Sequence, residues 1–382
     1  MTKKIAVSLN LDRSLMRYTL IYQGIQDYAE QHTDWSIFWD HYPETKLNKC
    51  SENGEKVYDA VIGRIKKNTY KETQRLGIPC VNLWYNSLLQ KEIPSSLIDF
   101  REVGKLTARH LINRGFKKIT VIDFKDTSSL HFVEGIKSVL KPLGYTHKFL
   151  RYNRVSTESA KGWEKQQDAF EEWFKNWTYP MAIASSMPLI TIPTFCKSKG
   201  LKIPEDVAIV MAGAESGICE TIKPLITTID TNYHQTGYEA ARLLHRIFKD
   251  EDQQIEHVYT KPKGVIARQS TDTYATEDEI VKKALRFIAD NIDKEIQVLD
   301  VVHEVCLSKS TLEKRFKAST GTTIKEEINR LRLICAQRIL TDKNVRIKDV
   351  HRRSGFSSAL HMRRVFQKNL GMSPGEYRKK QN

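Results

Sequence analysis

Short apolar runs rich in β-branched and aromatic residues punctuate the first 270 positions: Ile5 to Leu9, Trp35 to Trp39, Ala60 to Ile62, Cys80 to Trp84, Ile119 to Phe124, Ala182 to Ala184 and Val207 to Met211. Each has the length and composition of a strand. Between them, Leu106, His110 and Leu111 follow Val103 at spacings of three or four, and Phe132, Ile136, Val139 and Leu140 repeat the pattern, which predicts amphipathic helices. Gly115 and Gly144 stand where two such helices should stop. Strand-helix alternation predicts parallel, doubly wound α/β layers, with a ligand at the strand carboxyl ends.

The pattern changes near residue 275. The polar stretch Thr273 to Glu279 predicts a linker, with Thr276 and Glu279 spaced as a capping box. The expected division is an effector-binding and dimerisation domain over 1–272, a linker over 273–279, and an all-α domain over 280–382. Beyond the linker only helical period is found. Two segments share one plan, a supporting helix, a turn, and a second helix with paired apolar anchors and outward cations. In the first, Val301-Val302 anchors, Cys306-Leu307-Ser308 turns with Ser308 as N-cap, and Lys309 to Ala318 follows. In the second, Ile347 and Val350 anchor, Ser354-Gly355-Phe356 turns, and Ser358 to Asn369 follows.

Charge sharpens this division. Of a net +15, residues 301–382 carry +12, from 19 Lys and Arg against 7 Asp and Glu, and the first 300 residues carry only +3. A compact basic unit attracts a polyanion, because each cation near a phosphate releases condensed counterions. Double-stranded DNA is the expected partner. No run approaches the ~20 apolar residues of a membrane span, so no membrane association is expected and the sequence predicts a cytoplasmic chain, nucleoid-associated when bound to DNA. Six scattered cysteines lack any C-x-x-C pair, so neither a zinc site nor another metal is expected. Phosphate-loop, dinucleotide-fold, zincin and nucleophile-elbow motifs are absent. His110, His245, His257 and His303 have no partners at useful spacing. Neither an enzyme nor a cofactor is expected.

Particular residues then carry a resemblance. Asp99, Val103-Gly104, Ala108, His110-Leu111, Gly115-Phe116 and Ile119, then Gly135-Ile136, Gly200, Ile203 to Val207, Pro224 to Ile229, Gly237, Ala240-Ala241 and Leu243-Leu244 resemble LacI-type effector domains over roughly 100–245. The resemblance implies the periplasmic-binding-protein-like fold, two α/β lobes about a ligand cleft. The chain would cross between lobes near 99–101 and again near 230, with 246–270 returning to the first lobe. In this family polar side chains at strand ends hold a small molecule, often a sugar. Here Asn10, Asp12, Arg13, Asp123, Glu215 and Asp230 stand at or just past strand ends and are the candidate ligand residues. The tryptophans Trp35, Trp39, Trp84, Trp163, Trp173 and Trp177 either stack on sugar rings or, as the sequence favours, pack in cores. The chain departs from the family where Ser185-Ser186-Met187-Pro188, Met211-Ala212-Gly213 and Arg17-Tyr18-Thr19 replace its usual polar motifs.

In the last hundred residues Leu312, Arg315-Phe316-Lys317, Gly321, Arg332-Leu333, Ala336, Ile339-Leu340, Gly355-Phe356, Phe366, Lys368, Gly371 to Pro374 and Tyr377-Arg378 resemble the AraC/XylS-type DNA-binding domain. Joined to a LacI-type domain, it resembles the XylR-type xylose operon regulators along its whole length. The resemblance implies sequence-specific transcriptional control of sugar catabolism, with D-xylose or another sugar as effector, a homodimer, promoter DNA and RNA polymerase as partners. Two alternatives stay open: the front domain is a dimerisation scaffold that has lost sugar binding, or it senses a different ligand. With Leu312 and Phe316 inward, about 100° per residue turns Ser310, Glu313, Lys314 and Lys317 outward. Lys309 opens the same helix. With Met362 and Phe366 inward, Leu360, Arg363, Arg364 and Gln367 face out. These are the candidate DNA-contacting residues. The 17-residue helix Ile324 to Leu340, about 25 Å long, would set two readers roughly one DNA turn, ~34 Å, apart.

Overall fold

The computed structural model describes residues 2–11, 16–53, 56–151, 159–175, 181–189, 191–213, 219, 221–249, 256–276, 278–340 and 345–381. The first lobe is built on a parallel sheet of six strands in the order β11-β5-β4-β3-β1-β2. Its members are β1 (Lys4–Ser8), β2 (Ser36–Trp39), β3 (Ala60–Gly63), β4 (Cys80–Asn82), β5 (Ser95–Ile98) and β11 (His257–Thr260). The second lobe repeats the plan in the order β12-β10-β9-β8-β6-β7. It uses β6 (Lys118–Asp123), β7 (Thr146–Arg151), β8 (Met181–Ser185), β9 (Val207–Ala212), β10 (Thr227–Asp230) and β12 (Gly264–Ile266), the last antiparallel. Helices flank the first sheet as α1 (Met16–His32), α2 (Glu44–Asn53), α3 (Lys67–Arg75) and α8 (Tyr233–Phe248). The second sheet has α4 (Phe100–Asn113), α5 (Thr127–Leu140), α6 (Ala160–Phe174) and α7 (Thr191–Ser198).

The lobe assignment of the chain needs one correction. Crossings fall at Asp99, between β5 and α4, and just after Asp230, between β10 and α8. Residues 246–270 do not, however, all return to the first lobe. β11 pairs with β5 there, but β12 then crosses back and pairs with β10. A third connection therefore joins the lobes, between Thr260 and Gly264. Five strands also lie outside the apolar runs: β5, β7, β10, β11 and β12. β5 and β10 read as polar because Ser95, Ser96, Thr227 and Thr228 fill them, yet all four are buried. Their hydroxyls are satisfied locally: Ser96 donates to the Thr236 carbonyl at 2.8 Å and Thr227 to that of Arg268 at 3.0 Å. A bonded hydroxyl can be buried at little cost, so hydropathy alone cannot see such a strand.

After Asp272 the described chain is helical: α9 (Glu279–Asp290), α10 (Val298–Val305), α11 (Lys309–Thr320), α12 (Ile324–Leu340), α13 (Ile347–Arg353), α14 (Ala359–Leu370) and α15 (Pro374–Gln381). The N-cap of α9 is Asp278, whose carboxylate accepts from Ile280 and Val281; Thr276 instead accepts from Asp278, so the expected capping box is not formed. A carboxylate is the stronger acceptor for helix N–H groups and adds a favourable charge at the helix start. α12 belongs to two cores. Ile328 and Leu331 pack with Val301, Leu312 and Phe316, while Leu333, Ala336 and Leu340 pack with Val350, Met362 and Phe366. Ile347, expected as an anchor of the second unit, is 38% exposed; Val350, fully buried, anchors alone on α13.

Among the tryptophans, Trp173 packs against the second-lobe core and Trp35 lies edge-on to His245 and Phe248. Trp39 and Trp163 contradict core packing, at 48% and 44% exposed. Trp39 sits on edge strand β2 and donates its indole N–H to the Leu9 carbonyl at 2.8 Å. Trp177 lies outside the described residues.

Candidate ligand cleft and DNA-reading surface

The DNA-reading candidates share a geometry that local sequence dictates. In the first unit Cys306 turns the chain with φ +54°, Ser308 caps α11 by accepting from Thr311, and Leu312 and Phe316 are fully buried. Lys309, Ser310, Glu313, Lys314 and Lys317 are thereby all exposed on one recognition helix. In the second, Gly355 turns with φ +70°, Ser358 caps α14 by accepting from His361, and Met362 and Phe366 are buried. Leu360, Arg363, Arg364 and Gln367 are all exposed, Leu360 at 57%. An apolar side chain that far into water on a cationic helix suits contact with a thymine methyl.

The two helices differ electrostatically. Lys309 pairs with Glu313 at 3.9 Å, and Arg315 forks onto Asp278 at 2.7 and 2.8 Å, so part of the charge of α11 is neutralised by the protein itself. Among the described residues neither Arg363 nor Arg364 forms an ion pair, and Arg352 and Arg353 at the end of α13 are exposed as well. Arg315 is thus structural. Arg364, which could have been its counterpart, keeps an exposed guanidinium.

The candidate ligand residues divide. Asn10 follows β1 and is half-buried. Asp123 ends β6, where its carboxylate accepts from the Lys125 N–H and the Ser129 hydroxyl at 2.9 and 3.1 Å. Asp230 ends β10 and accepts from the Asn232 N–H at 2.9 Å. Both acids therefore shape their own loops. Asp12, Arg13 and Glu215 lie outside the described residues.

At the carboxyl ends of the first-lobe strands the structure brings Trp84, one of the tryptophans expected either to stack on sugar or to pack in a core, and the Arg17-Tyr18 pair together with Arg64, which sequence reading did not select. Arg64, directly after β3, lies over the Trp84 indole at 4.6 Å and donates to the Tyr18 hydroxyl at 3.3 Å. Arg17 donates to the same hydroxyl at 3.4 Å. Burial works against ionisation of Tyr18, but the two guanidinium charges outweigh it and lower its pKa. Two further contacts join the lobes: the Tyr85 hydroxyl meets Nδ1 of His131, and the Asn86 side chain accepts from the Ser128 N–H at 3.3 Å. For Arg64 the signal available in the sequence was position alone, since it directly follows a strand, whereas Trp84 was already visible as an aromatic that could stack on a sugar ring. An open depression lined by Glu30, His32, Trp35, His245 and Phe248 lies elsewhere, beside the residues that precede β1 and β2. That is the amino end of the strands, where α/β sheets do not place ligands.

Comparison with known proteins agrees with both halves. Residues 108–271 match the periplasmic binding protein-like domain, and residues 301–380 match a helix-turn-helix domain. The xylose operon regulatory protein of Escherichia coli strain K12 is 22% identical over 385 residues, covering 99% of this chain and 97% of that protein. Its namesake in Haemophilus influenzae is 25% identical, covering 98% of each. A solved structure of a xylose-binding transcription activator superposes with a TM-score of 0.66 at 21% identity, covering 100% of this chain and 98% of the other. Among the described residues no helix is long and apolar enough to cross a membrane. The chain joins a periplasmic binding protein-like domain to a helix-turn-helix domain and is similar over its full length to the xylose operon regulatory proteins.

Proposed function

We propose that this protein is a sequence-specific DNA-binding transcriptional regulator of sugar catabolism whose two readers, α11 and α14, are governed by a small molecule in the front cleft. The observation that carries the reading is the twin set of capped recognition helices, each with buried anchors and an exposed polar, cationic outer face. Lys309, Ser310, Glu313, Lys314 and Lys317 address one major groove; Leu360, Arg363, Arg364 and Gln367 address the next. The protein acts in the cytoplasm on promoter DNA as a homodimer, in contact with RNA polymerase where it activates. The effector is D-xylose or a related sugar, held between Asn10, Arg64 and Trp84 on one lobe and Asp123 and Asp230 on the other. Arg64 and Trp84 offer hydrogen-bond donors beside an aromatic face, which suits a sugar ring.

Selection of duplexes from a random library with the full chain, followed by footprinting, tests this. Enriched sites with two protected major-groove segments about one turn apart are expected; failure to enrich any sequence overturns it. A second reading makes the front domain a dimerisation scaffold or a sensor of another ligand. It is favoured by Arg17-Tyr18-Thr19, Met187 and Gly213, which depart from the polar motifs that the resemblance to LacI-type effector domains implies for a sugar site.

A further inference from the structure

Where the second lobe meets the helix-turn-helix region, charged groups are packed together out of water. Arg330 of α12 forks onto Glu327 of the same helix, at 2.8 and 2.6 Å, and reaches Asp272 with its remaining Nη at 3.1 Å. The Glu327 side chain is fully buried, and those of Arg330 and Asp272 are 23% and 15% exposed. From the lobe side comes Arg114, the C-cap of α4, itself buried. Both guanidiniums lie over the ring of Tyr274, Arg114 at 5.4 Å and Arg330 at 6.0 Å. The backbone joins the same seam: the Ala275 N–H donates to the Arg114 carbonyl at 2.9 Å, and His110 Nε2 lies 2.9 Å from the Thr271 hydroxyl. A few residues later Asp278 is gripped by Arg315 of α11. The short segment between the two domains is thus held at both ends by cations from the first reader unit.

Such a cluster is a poor way to gain stability. Taking two arginines and two carboxylates out of water costs several kcal/mol per ion, and an apolar contact of the same volume would serve as well. What fork-shaped, directional bonds supply is a unique geometry, because a guanidinium satisfied on two sides tolerates little rotation. Flexible linkers between domains have the opposite composition and no such contacts.

We propose that Arg330 is a positioning residue that locks α12 to the second lobe through Asp272 and Tyr274, making that lobe and the first reader one rigid body. Lobe rotation is then delivered directly to α11 instead of being absorbed in the connecting segment, while the second reader follows through the shared helix α12. The regulatory consequence rests on the function proposed above, but the joint itself can be measured with neither DNA nor effector.

The experiment is a pulsed-dipolar distance measurement on the full chain, with nitroxides at Lys117→Cys, just past α4, and Lys325→Cys, on α12, in a Cys306→Ser background. Both lysines are exposed and outside the seam, and the other five cysteines are buried. A single narrow distance distribution is expected. Arg330→Met broadens it at least about twofold, and Arg330→Lys, which keeps the charge but loses the fork, gives an intermediate width. Asp272→Asn broadens it as well and serves as the test if Arg330→Met does not fold. A broad distribution in the parent chain, or an unchanged width in the variant tested, overturns the joint. Absence of site-selective DNA binding would overturn the proposed function and leave the joint standing.

Discussion

Arg363 and Lys317 can tell a duplex different things. A guanidinium at the outer face of α14 can pair with O6 and N7 of one guanine, whereas an ammonium at the groove edge, as Lys317 near the end of α11 would be, can hold phosphate only as a point charge. Arg363→Ala is therefore expected to relax one base position by about 1–3 kcal/mol, and Lys317→Ala to weaken all sequences alike and lower the salt slope by about one. Affinities for single-base variants of a selected site, over a range of salt, check both. Equal loss on every site for Arg363→Ala would reduce that residue to a phosphate contact.

His110 makes a second residue-level case. Burial, then the charges of Arg114 and Arg330, push its pKa down from 6.5 to about 3. The unfolded chain takes up a proton there that the folded chain refuses, so stability is full above about pH 6.5 and declines as pH falls toward 3. Between pH 7 and 5 this amounts to about 2 kcal/mol. Urea unfolding at the two pH values should show that loss in the parent chain and a shallower one in His110→Gln. As a lone histidine on a helix, it gave no hint of this in the sequence, because the two arginines that surround it come from the end of its own helix and from 220 residues downstream. The outward residues of α11 and α14 were legible for the opposite reason: their direction follows from helical period and two apolar anchors, all within one helix.

At the scale of elements, Gly355 shows what a turn can demand. Its φ of +70° is left-handed, and an added Cβ would run into the carbonyls of Ile292 and Lys294 on the loop before α10. The turn of the second unit therefore packs backbone to backbone against the first. Gly355→Ala carries both the conformational penalty and the clash, and an expected loss of about 2 kcal/mol or more, read by thermal or urea unfolding, is larger than the ~1 kcal/mol of a left-handed strain alone. A variant as stable as the parent would show that the two units separate freely. The turn was visible in sequence; the loop it touches was not. The same contrast runs through the sheets. β1, β3, β6, β8 and β9 announce themselves as apolar runs, whereas β5 and β10 can be buried strands despite their polar residues because Ser96 and Thr227 find carbonyl partners contributed by α8 and by the segment after β12.

For the whole molecule, the cleft decides what kind of regulator this is. If a sugar is held between Arg64, Trp84 and the second-lobe strand ends, D-xylose should raise the melting temperature of the full chain with a concentration dependence that follows RT ln(1 + [L]/Kd), about 2.7 kcal/mol at a hundredfold excess over Kd. Arg64→Ala should abolish the shift while leaving DNA binding intact. No shift with D-xylose or other pentoses would favour the scaffold reading. Coupling demands more than binding, since a ligand moves an equilibrium only by its difference in affinity for two states. The lobe contacts Tyr85 to His131 and Asn86 to Ser128, and the charged seam at Arg330, are the places where such a difference can be felt.

The amino-acid sequence by itself determined the order of α/β and all-α parts, the twin helix-turn-helix plan, the outward faces of both readers and the concentration of positive charge at the end of the chain. All of these are local or additive: periodicity, capping, turn chemistry and charge need only a few neighbouring residues. Only the tertiary structure decided that β12 recrosses to the second lobe, that Asp278 and not Thr276 caps α9, that Arg64, Trp84 and Tyr18 meet at one end of a sheet, and that Arg114, Asp272, Glu327 and Arg330 share one buried seam. Those facts depend on which distant groups satisfy one another when water is excluded, and no pattern along the chain encodes that pairing.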